Sequence, residues 1–220
     1  MIQFRNVTKD YDNQTAIKNI SFSVAKGEMI FLTGPSGSGK TTLLKLIYLA
    51  EKPDDGDITI DGIDTSQLKE SGIPYVRRKI GIVFQDFRLL ENRTVFENIA
   101  LALRIRGLGE KETKIWVHDA LKAVNLRHKA DSYPRTLSGG EQQRVVIARA
   151  TVSEPVILLA DEPTGNLDPD TAGGVARIFK DIHAKGTTIL VATHNRELYR
   201  NTGKRVVRLN SGNLVGEEIG

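Results

Sequence analysis

Gly34-Pro35-Ser36-Gly37-Ser38-Gly39-Lys40-Thr41 fits a glycine-rich phosphate-binding pattern, directly after an apolar run and directly before a helical one. In such a loop, glycines let backbone N–H groups turn inward around an anion and the following helix N-terminus adds partial positive charge. Lys40 would reach the β/γ-phosphates, and the Thr41 hydroxyl would ligate Mg²⁺. At a glycine usage of ~7%, the fixed positions coincide by chance in on the order of one chain in a hundred of this length. Further on, the apolar run Val156-Ile157-Leu158-Leu159-Ala160 ends in Asp161-Glu162. Carboxylates at the carboxyl end of a buried strand sit where ligands bind in open α/β sheets. Asp161 is suited to hold Mg²⁺ through water and Glu162 to polarise an attacking water as general base. An acidic pair of this kind more often starts a solvated loop, and its meaning comes from the phosphate loop upstream. A third stretch, Leu137-Ser138-Gly139-Gly140-Glu141-Gln142-Gln143-Arg144, is a small-residue turn opening a helix.

The elements that must position these groups alternate. Ile2 to Val7, Ile20 to Val24 and Met29 to Leu32 read as strands, the last running into the glycine-rich loop. Thr42 to Ala50 carries Leu43, Leu44, Leu46 and Ile47 at helical spacing; Pro53-Asp54-Asp55-Gly56 breaks the pattern, and Ile58 to Ile60 and Ile80 to Phe84 follow as short strands. Thr94 to Arg106 and Lys111 to Val124 show amphipathic helical periodicity, with Thr94 an N-cap and Gly107 a stop, and read as an inserted helical subdomain. A helix over Glu141 to Val152, the strand Val156 to Ala160, a helix from about Thr171 to His183 closed by Gly186 and the strand Thr188 to Ala192 complete the series. Strand and helix alternate as in a parallel sheet covered on both faces.

The chain has 220 residues, 40% hydrophobic and 26% charged, which suits one substantial core. No apolar run approaches the ~18 to 20 residues needed to span a bilayer, and no secretory leader pattern opens the sequence, so a cytosolic location is expected. Cysteine is absent, which excludes disulfides and thiolate metal sites. The net charge of +4 comes from scattered residues. The one tight cluster, Arg77-Arg78-Lys79, reads as a solvated face, and no nucleic-acid partner is expected.

With the Leu137–Arg144 stretch in view, the sequence resembles the nucleotide-binding subunits of ATP-binding-cassette proteins, whose signature it matches, with Glu141 where many members carry glutamine. The resemblance covers almost the whole chain and implies a P-loop NTPase of α/β class: a RecA-like core with a mixed sheet and helices on both faces, an antiparallel β subdomain and the inserted helical subdomain. As a single domain over 1–220, the core would take 1–86 and 155–220 and the signature subdomain 87–154. It implies ATP and Mg²⁺ as ligands, and ATP hydrolysis. Phosphate would be bound by Gly34, Pro35, Ser36, Gly37, Ser38, Gly39, Lys40, Thr41 and Thr42, with Tyr11 stacking on adenine. Catalysis would rest on Glu162, Gln85 and His194, and the metal on Thr41, Gln85 and, through water, Asp161. Leu137, Ser138, Gly139, Gly140 and Glu141 would act in trans in an ATP-dependent head-to-tail homodimer, with Asn166, Leu167 and Asp168 coupling its two sites.

Within the family, Phe31-Leu32-Thr33-Gly34, Ile73 to Gly81, Phe84-Gln85-Asp86 and Leu158 to Asp168 look like the branch acting in bacterial cell division. That likeness implies a separate polytopic membrane partner, a peripheral place on the cytoplasmic face of the membrane at the division site, and force transmission that activates peptidoglycan hydrolases. The Ala160–Asp168 run is shared with lipoprotein-release and macrolide-export ATPases, which stand as the alternative. A nucleotide-dependent division scaffold is a second alternative, against which intact Glu162, Gln85 and His194 argue. Asp86-Phe87-Arg88-Leu89-Leu90 admits two readings: an apolar stripe for a partner's helix, or Phe87 and Leu89 as core.

Overall fold

A computed structural model describes residues 1–12 and 14–220. Two sheets organise the chain. β1 (Ile2–Tyr11), β2 (Gln14–Val24), β4 (Asp55–Ile60) and β5 (Ile63–Asp64) form an antiparallel sheet in the order β2-β1-β4-β5. β3 (Met29–Thr33), β6 (Ile80–Val83), β7 (Ile157–Asp161), β8 (Thr188–Ala192), β9 (Arg205–Asn210) and β10 (Asn213–Ile219) form the second, ordered β10-β9-β3-β8-β7-β6. It is parallel except for β10, which returns antiparallel along β9.

The continuous apolar runs of the parallel strands are explained by burial on both faces. In β3, Met29 and Phe31 pack with Leu158, Ala160, Ile189 and Val191 toward one side. Ile30 and Leu32 pack with Ile157, Leu159, Leu190 and Ala192 toward the other. The first face is covered by α3 (Val95–Ile105), α4 (Glu110–Ala123), α5 (Gly139–Thr151) and α6 (Pro169–Ala184). The second is covered by α1 (Lys40–Ile47), the antiparallel sheet and Val76 of the short helix α2 (Ile73–Arg77).

The predicted elements recur with shifted edges. α1 begins at Lys40 rather than Thr42, because Gly39 takes a left-handed conformation (φ 103°) that turns the loop straight into the helix. Thr94 caps α3 in a reciprocal box with Glu97, and Gly107 (φ 83°) stops it. α6 starts earlier than Thr171, with Asp168 as cap and Pro169 in its first turn. β9 and β10 carry arginines, glutamates and asparagines that hide their strand character from pattern reading. Arg77, Arg78 and Lys79 are engaged in the fold. Arg77 donates to the Tyr48 and Leu49 carbonyls, Arg78 lies over the Tyr75 ring, and Lys79 pairs with Asp61 at 2.6 Å.

α3 to α5 occupy the connection between the neighbouring parallel strands β6 and β7. Val83 lies opposite Ala160, Asp161 opposite Ala192 and Leu32 opposite Ala192, so four parallel strands end on one edge. The segments leaving that edge carry Gly34, Gln85, Glu162 and His194.

Candidate functional site

The loop after β3 curls where side chains would not fit. A Cβ on Gly34 (φ 148°) would lie 2.2 Å from the Leu209 carbonyl oxygen and 2.7 Å from Ser38 Oγ. On Gly39 it would lie 2.7 Å from the Ala16 carbonyl oxygen. Lys40, only 7% exposed, donates from Nζ to the carbonyls of Gly34 (2.8 Å) and Pro35 (3.1 Å), so its ammonium is held inside the curl. The loop lines a cleft of roughly 610 Å³ through Pro35, Ser36, Gly37, Ser38, Gly39, Lys40, Thr41 and Thr42. Gln85, Asp161, Glu162 and His194 close its other walls. A loop curled around a buried cation at a helix N-terminus suits a polyphosphate.

Thr41 Oγ1 donates to Asp161 Oδ2 at 2.8 Å, joining the start of α1 to the end of β7. Burial pushes the Asp161 carboxyl up, Thr41's hydrogen bond pulls it back, and Glu162's charge adds to the rise. Hydroxyl and carboxylate oxygens side by side, with the carboxylate's charge disfavoured by its surroundings, form a donor set suited to a hard divalent cation.

Glu162 sits in the left-handed region (φ 45°), which non-glycine residues rarely occupy and which a function can justify. Its N–H donates to the Ala192 carbonyl at 2.8 Å, stitching it to β8. Its carboxylate accepts from Thr193 Oγ1 (3.2 Å), from the His194 N–H (3.1 and 3.3 Å) and from His194 Nδ1 (2.8 Å). A carboxylate only accepts, so Nδ1 carries the proton, and His194 lines the cleft. Glu162's side chain is 10% exposed and His194's 68%, so the carboxylate is sheltered and the imidazole open. Thr193, fully buried beside this pair, has no role that the sequence assigns. Only its pairing across the sheet reveals one. Ala16, from β2, also lines the cleft and left no signal in the sequence.

Tyr11 lies at the β1–β2 end and is not among the residues lining the cleft. Its ring is flanked by Lys9 Nζ (5.4 Å) and Lys45 Nζ (5.8 Å). Its buried hydroxyl has no hydrogen-bond partner among the described residues.

The signature forms a separate surface. Ser138 caps α5: its Oγ accepts from Glu141 N–H at 3.2 Å while Glu141 Oε2 accepts from Ser138 N–H at 2.8 Å. Glutamate and glutamine serve equally in that box, which explains Glu141 physically. Ser138's backbone N–H holds the Glu141 carboxyl below its ordinary range, burial opposes this, and Lys129 assists. Leu137 is buried, a Cβ on Gly139 would lie 3.9 Å from Leu167 Cδ2, and a Cβ on Gly140 would meet Thr171 Cγ2 at 2.3 Å. The signature thus abuts the loop of Asn166, Leu167 and Asp168, in which Asp168 caps α6 by accepting from Thr171 N–H at 3.0 Å. Neither segment lines the cleft within one chain. Of the Asp86–Leu90 stretch, Leu89 is buried, Phe87 packs on the core and Leu90 is exposed, as the core reading expects.

Residues 17–165 match the family described as ABC transporter. The chain is 48% identical over 219 residues to the cell division ATP-binding protein FtsE of Bacillus subtilis (strain 168), covering 99% of this chain and 96% of that protein. It is 46% identical over 217 residues to FtsE of Escherichia coli (strain K12), covering 98% of each. Among solved structures, the dimeric bacterial ABC transporter cassette MJ0796 superposes with a TM-score of 0.92 at 38% identity, covering 100% of this chain and 98% of that one. A second MJ0796 dimer, in a post-hydrolysis state bound to ADP and Pi, gives a TM-score of 0.92 at 37% identity.

Proposed function

Because this chain belongs to the ABC transporter family and is an ATP-binding, ATP-hydrolysing cassette, we propose that it is the motor subunit of a cell-division complex of FtsE–FtsX type. It would work as an ATP-dependent head-to-tail homodimer bound to a polytopic membrane protein. The observation that carries the enzymatic part is the convergence of Lys40, Gln85, Asp161, Glu162 and His194 on one cleft, with the Ser138–Glu141 cap outside it. The signature, which lies outside the cleft of its own chain, would complete the cleft of a second copy, and the dimeric MJ0796 cassettes support that arrangement.

Each residue has a chemical task. The phosphate loop and Lys40 bind the polyphosphate of ATP, and Thr42 extends the loop into α1. Tyr11 stacks on adenine once its ring turns from between Lys9 and Lys45. Thr41, Gln85 and Asp161 would hold Mg²⁺, which would supply charge neutralisation at the β/γ-phosphates when bound. Glu162 takes the proton of the attacking water. His194, aligned through Nδ1 by Glu162, contacts the γ-phosphate through Nε2, which donates there when the ring carries a proton on both nitrogens. Ser138 and the α5 N-terminus of the second copy bind the same phosphate from the opposite side. Closure is then favoured by ATP, and opening follows its cleavage, a differential affinity that can move a partner. The division into a core of 1–86 and 155–220 and a signature subdomain of 87–154 gives that motion its two bodies.

The likeness to FtsE along nearly the whole of both chains supports the division role, and a peripheral place on the cytoplasmic face of the membrane and activation of peptidoglycan hydrolases across it belong to the same proposal. Among the described residues no helix is long and apolar enough to cross a membrane, so the spanning part is assigned to a partner. Two experiments test the proposal. Lys40→Ala should weaken ATP binding, whereas Glu162→Gln should bind ATP and accumulate as a closed dimer; normal hydrolysis by Glu162→Gln would refute the base. Pull-down from native membranes with ATP and Mg²⁺ should recover an FtsX-like protein. Recovery of a lipoprotein-release or drug-export permease would overturn the division role and leave the ATPase intact.

A further inference from the structure

The loop between β6 and α3 carries Gln85 as its second residue and is anchored at two later points. Asn98 of α3, fully buried, accepts from Leu90 N–H at 2.8 Å and donates to the carbonyls of Leu90 (3.1 Å), Arg93 (3.2 Å) and Thr94 (2.9 Å). The second anchor is Arg149, on α5, which donates to the Arg88 carbonyl at 2.6 Å and the Phe87 carbonyl at 2.9 Å. Arg149 has no carboxylate partner among the described ion pairs. Burial pushes its guanidinium down from the ordinary range and the like charge of Arg88 adds to that. A partly buried cation without an anion needs compensating acceptors, and here two loop carbonyls provide them.

The anchored loop is itself constrained. Arg88 holds a left-handed backbone (φ 50°), and its guanidinium lies 3.9 Å from the ring centroid of Phe84, the residue before Gln85. Phe84 meets Tyr48 edge-on at 6.1 Å, just past the end of α1. Gln85 therefore spans a short gap between the end of β6 and a loop whose shape Arg149 fixes. At the opposite end of α5, roughly 16 Å away at 1.5 Å per residue, stands Ser138, the cap that a second copy would use.

We infer that Arg149 is a positioning residue: it ties α5 to the Gln85 loop, so that engagement of Ser138 by a second copy's nucleotide sets Gln85 in this chain's own cleft. The inference rests on the proposed roles of Gln85 and Ser138. α5 is a rigid lever with the trans-acting cap at one end and the guanidinium clamp at the other. Each copy thereby senses occupancy of the opposite site through its own helix.

A double-mutant cycle on the full-length chain tests this, with single-turnover hydrolysis of γ-labelled ATP and equilibrium binding of ATP as readouts. Arg149→Ala is expected to slow hydrolysis by about ten- to a hundredfold, the scale of a misplaced catalytic group, with the ATP Kd changed less than about twofold. Arg149→Lys, which keeps the charge and one carbonyl bond, should recover part of the rate and remains informative if the alanine variant does not fold. Gln85→Ala combined with either Arg149 variant should be no slower than Gln85→Ala alone, because both act through one group. Additive losses, or a wild-type rate for Arg149→Lys and Arg149→Ala, overturn the clamp and leave the ATPase assignment standing. A wild-type rate for Gln85→Ala overturns the role of Gln85 and the clamp with it.

Discussion

Replacing Ser138 with alanine should separate the serine's structural task from its chemical one. The hydroxyl accepts from Glu141 N–H at 3.2 Å, so its own proton is free to point outward toward a phosphate. Alanine removes the acceptor but keeps Glu141's bond to the residue 138 N–H. Loss of a serine N-cap costs about 1 kcal/mol. At ~2.1 cal/mol/K per residue, a chain of 220 residues has an unfolding entropy near 0.46 kcal/mol/K, so the melting temperature should fall by about 2 °C. Loss of a hydrogen bond to a charged phosphate is worth about 1.5–3 kcal/mol, or roughly ten- to a hundredfold in rate. Hydrolysis should thus fall far more than folding at any temperature below the transition. Ser138→Thr should keep both functions, since threonine caps and donates as serine does. Mixing carries the decisive readout. A Ser138→Ala chain with an intact phosphate loop and a Lys40→Ala chain with an intact signature should together regain activity. In a random mixture about half of the dimers would be hybrids with one restored site, about a quarter of all sites. If the mixture hydrolyses ATP no faster than the sum of its parts, the signature does not act in trans. If Ser138→Ala turns over at the wild-type rate, the hydroxyl has no phosphate to bind.

Asp161→Asn should raise the melting temperature of the nucleotide-free chain at neutral pH, because the carboxyl's raised pKa means that ionisation costs stability there and the penalty grows as pH rises through the folded value. The same change should shrink the stabilisation gained on adding ATP and Mg²⁺, read by the same melt. Glu141 has the opposite sign. Its lowered carboxyl contributes stability above the ordinary glutamate range that is lost as pH falls through the folded value, so Glu141→Gln should flatten the acid limb of the stability curve by lowering the neutral-pH plateau toward the acid value. Gly34→Ala should abolish nucleotide binding and unfold at lower denaturant, since its Cβ would meet the Leu209 carbonyl oxygen at 2.2 Å. Gly37→Ala, at φ 76° but with open space around its Cβ, should cost only the ~1–2 kcal/mol of a left-handed side-chain residue.

Much of the architecture was legible because its signals are local. The phosphate loop needs glycines at fixed spacing and a lysine within reach, and these are adjacent in the chain. Two-sided burial writes continuous apolar runs into Met29–Thr33, Ile157–Asp161 and Thr188–Ala192, and caps such as Thr94 announce helix starts with single residues. β9 and β10 stayed hidden because their charged residues are satisfied by pairs distant in sequence, such as Arg205 with Glu28 at 2.8 Å.

What the order of residues determined by itself was the chemistry available: an anion cradle, two carboxylates after a buried strand, a capped helix with a small-residue start, and an imidazole after a fourth strand. What the tertiary structure alone decided was which of these meet. Parallel pairing brings Glu162 to Thr193 and His194, 31 and 32 residues later in the chain. It also joins Thr41 to Asp161, 120 residues away. It leaves Ser138 outside the cleft and gives Arg149 its hold on the Gln85 loop. The physical reason is range. Backbone conformation and capping are set by neighbours a few residues apart, whereas the position of a catalytic carboxylate depends on strand order and on which helix crosses between strands, and neither is encoded in any short window of sequence.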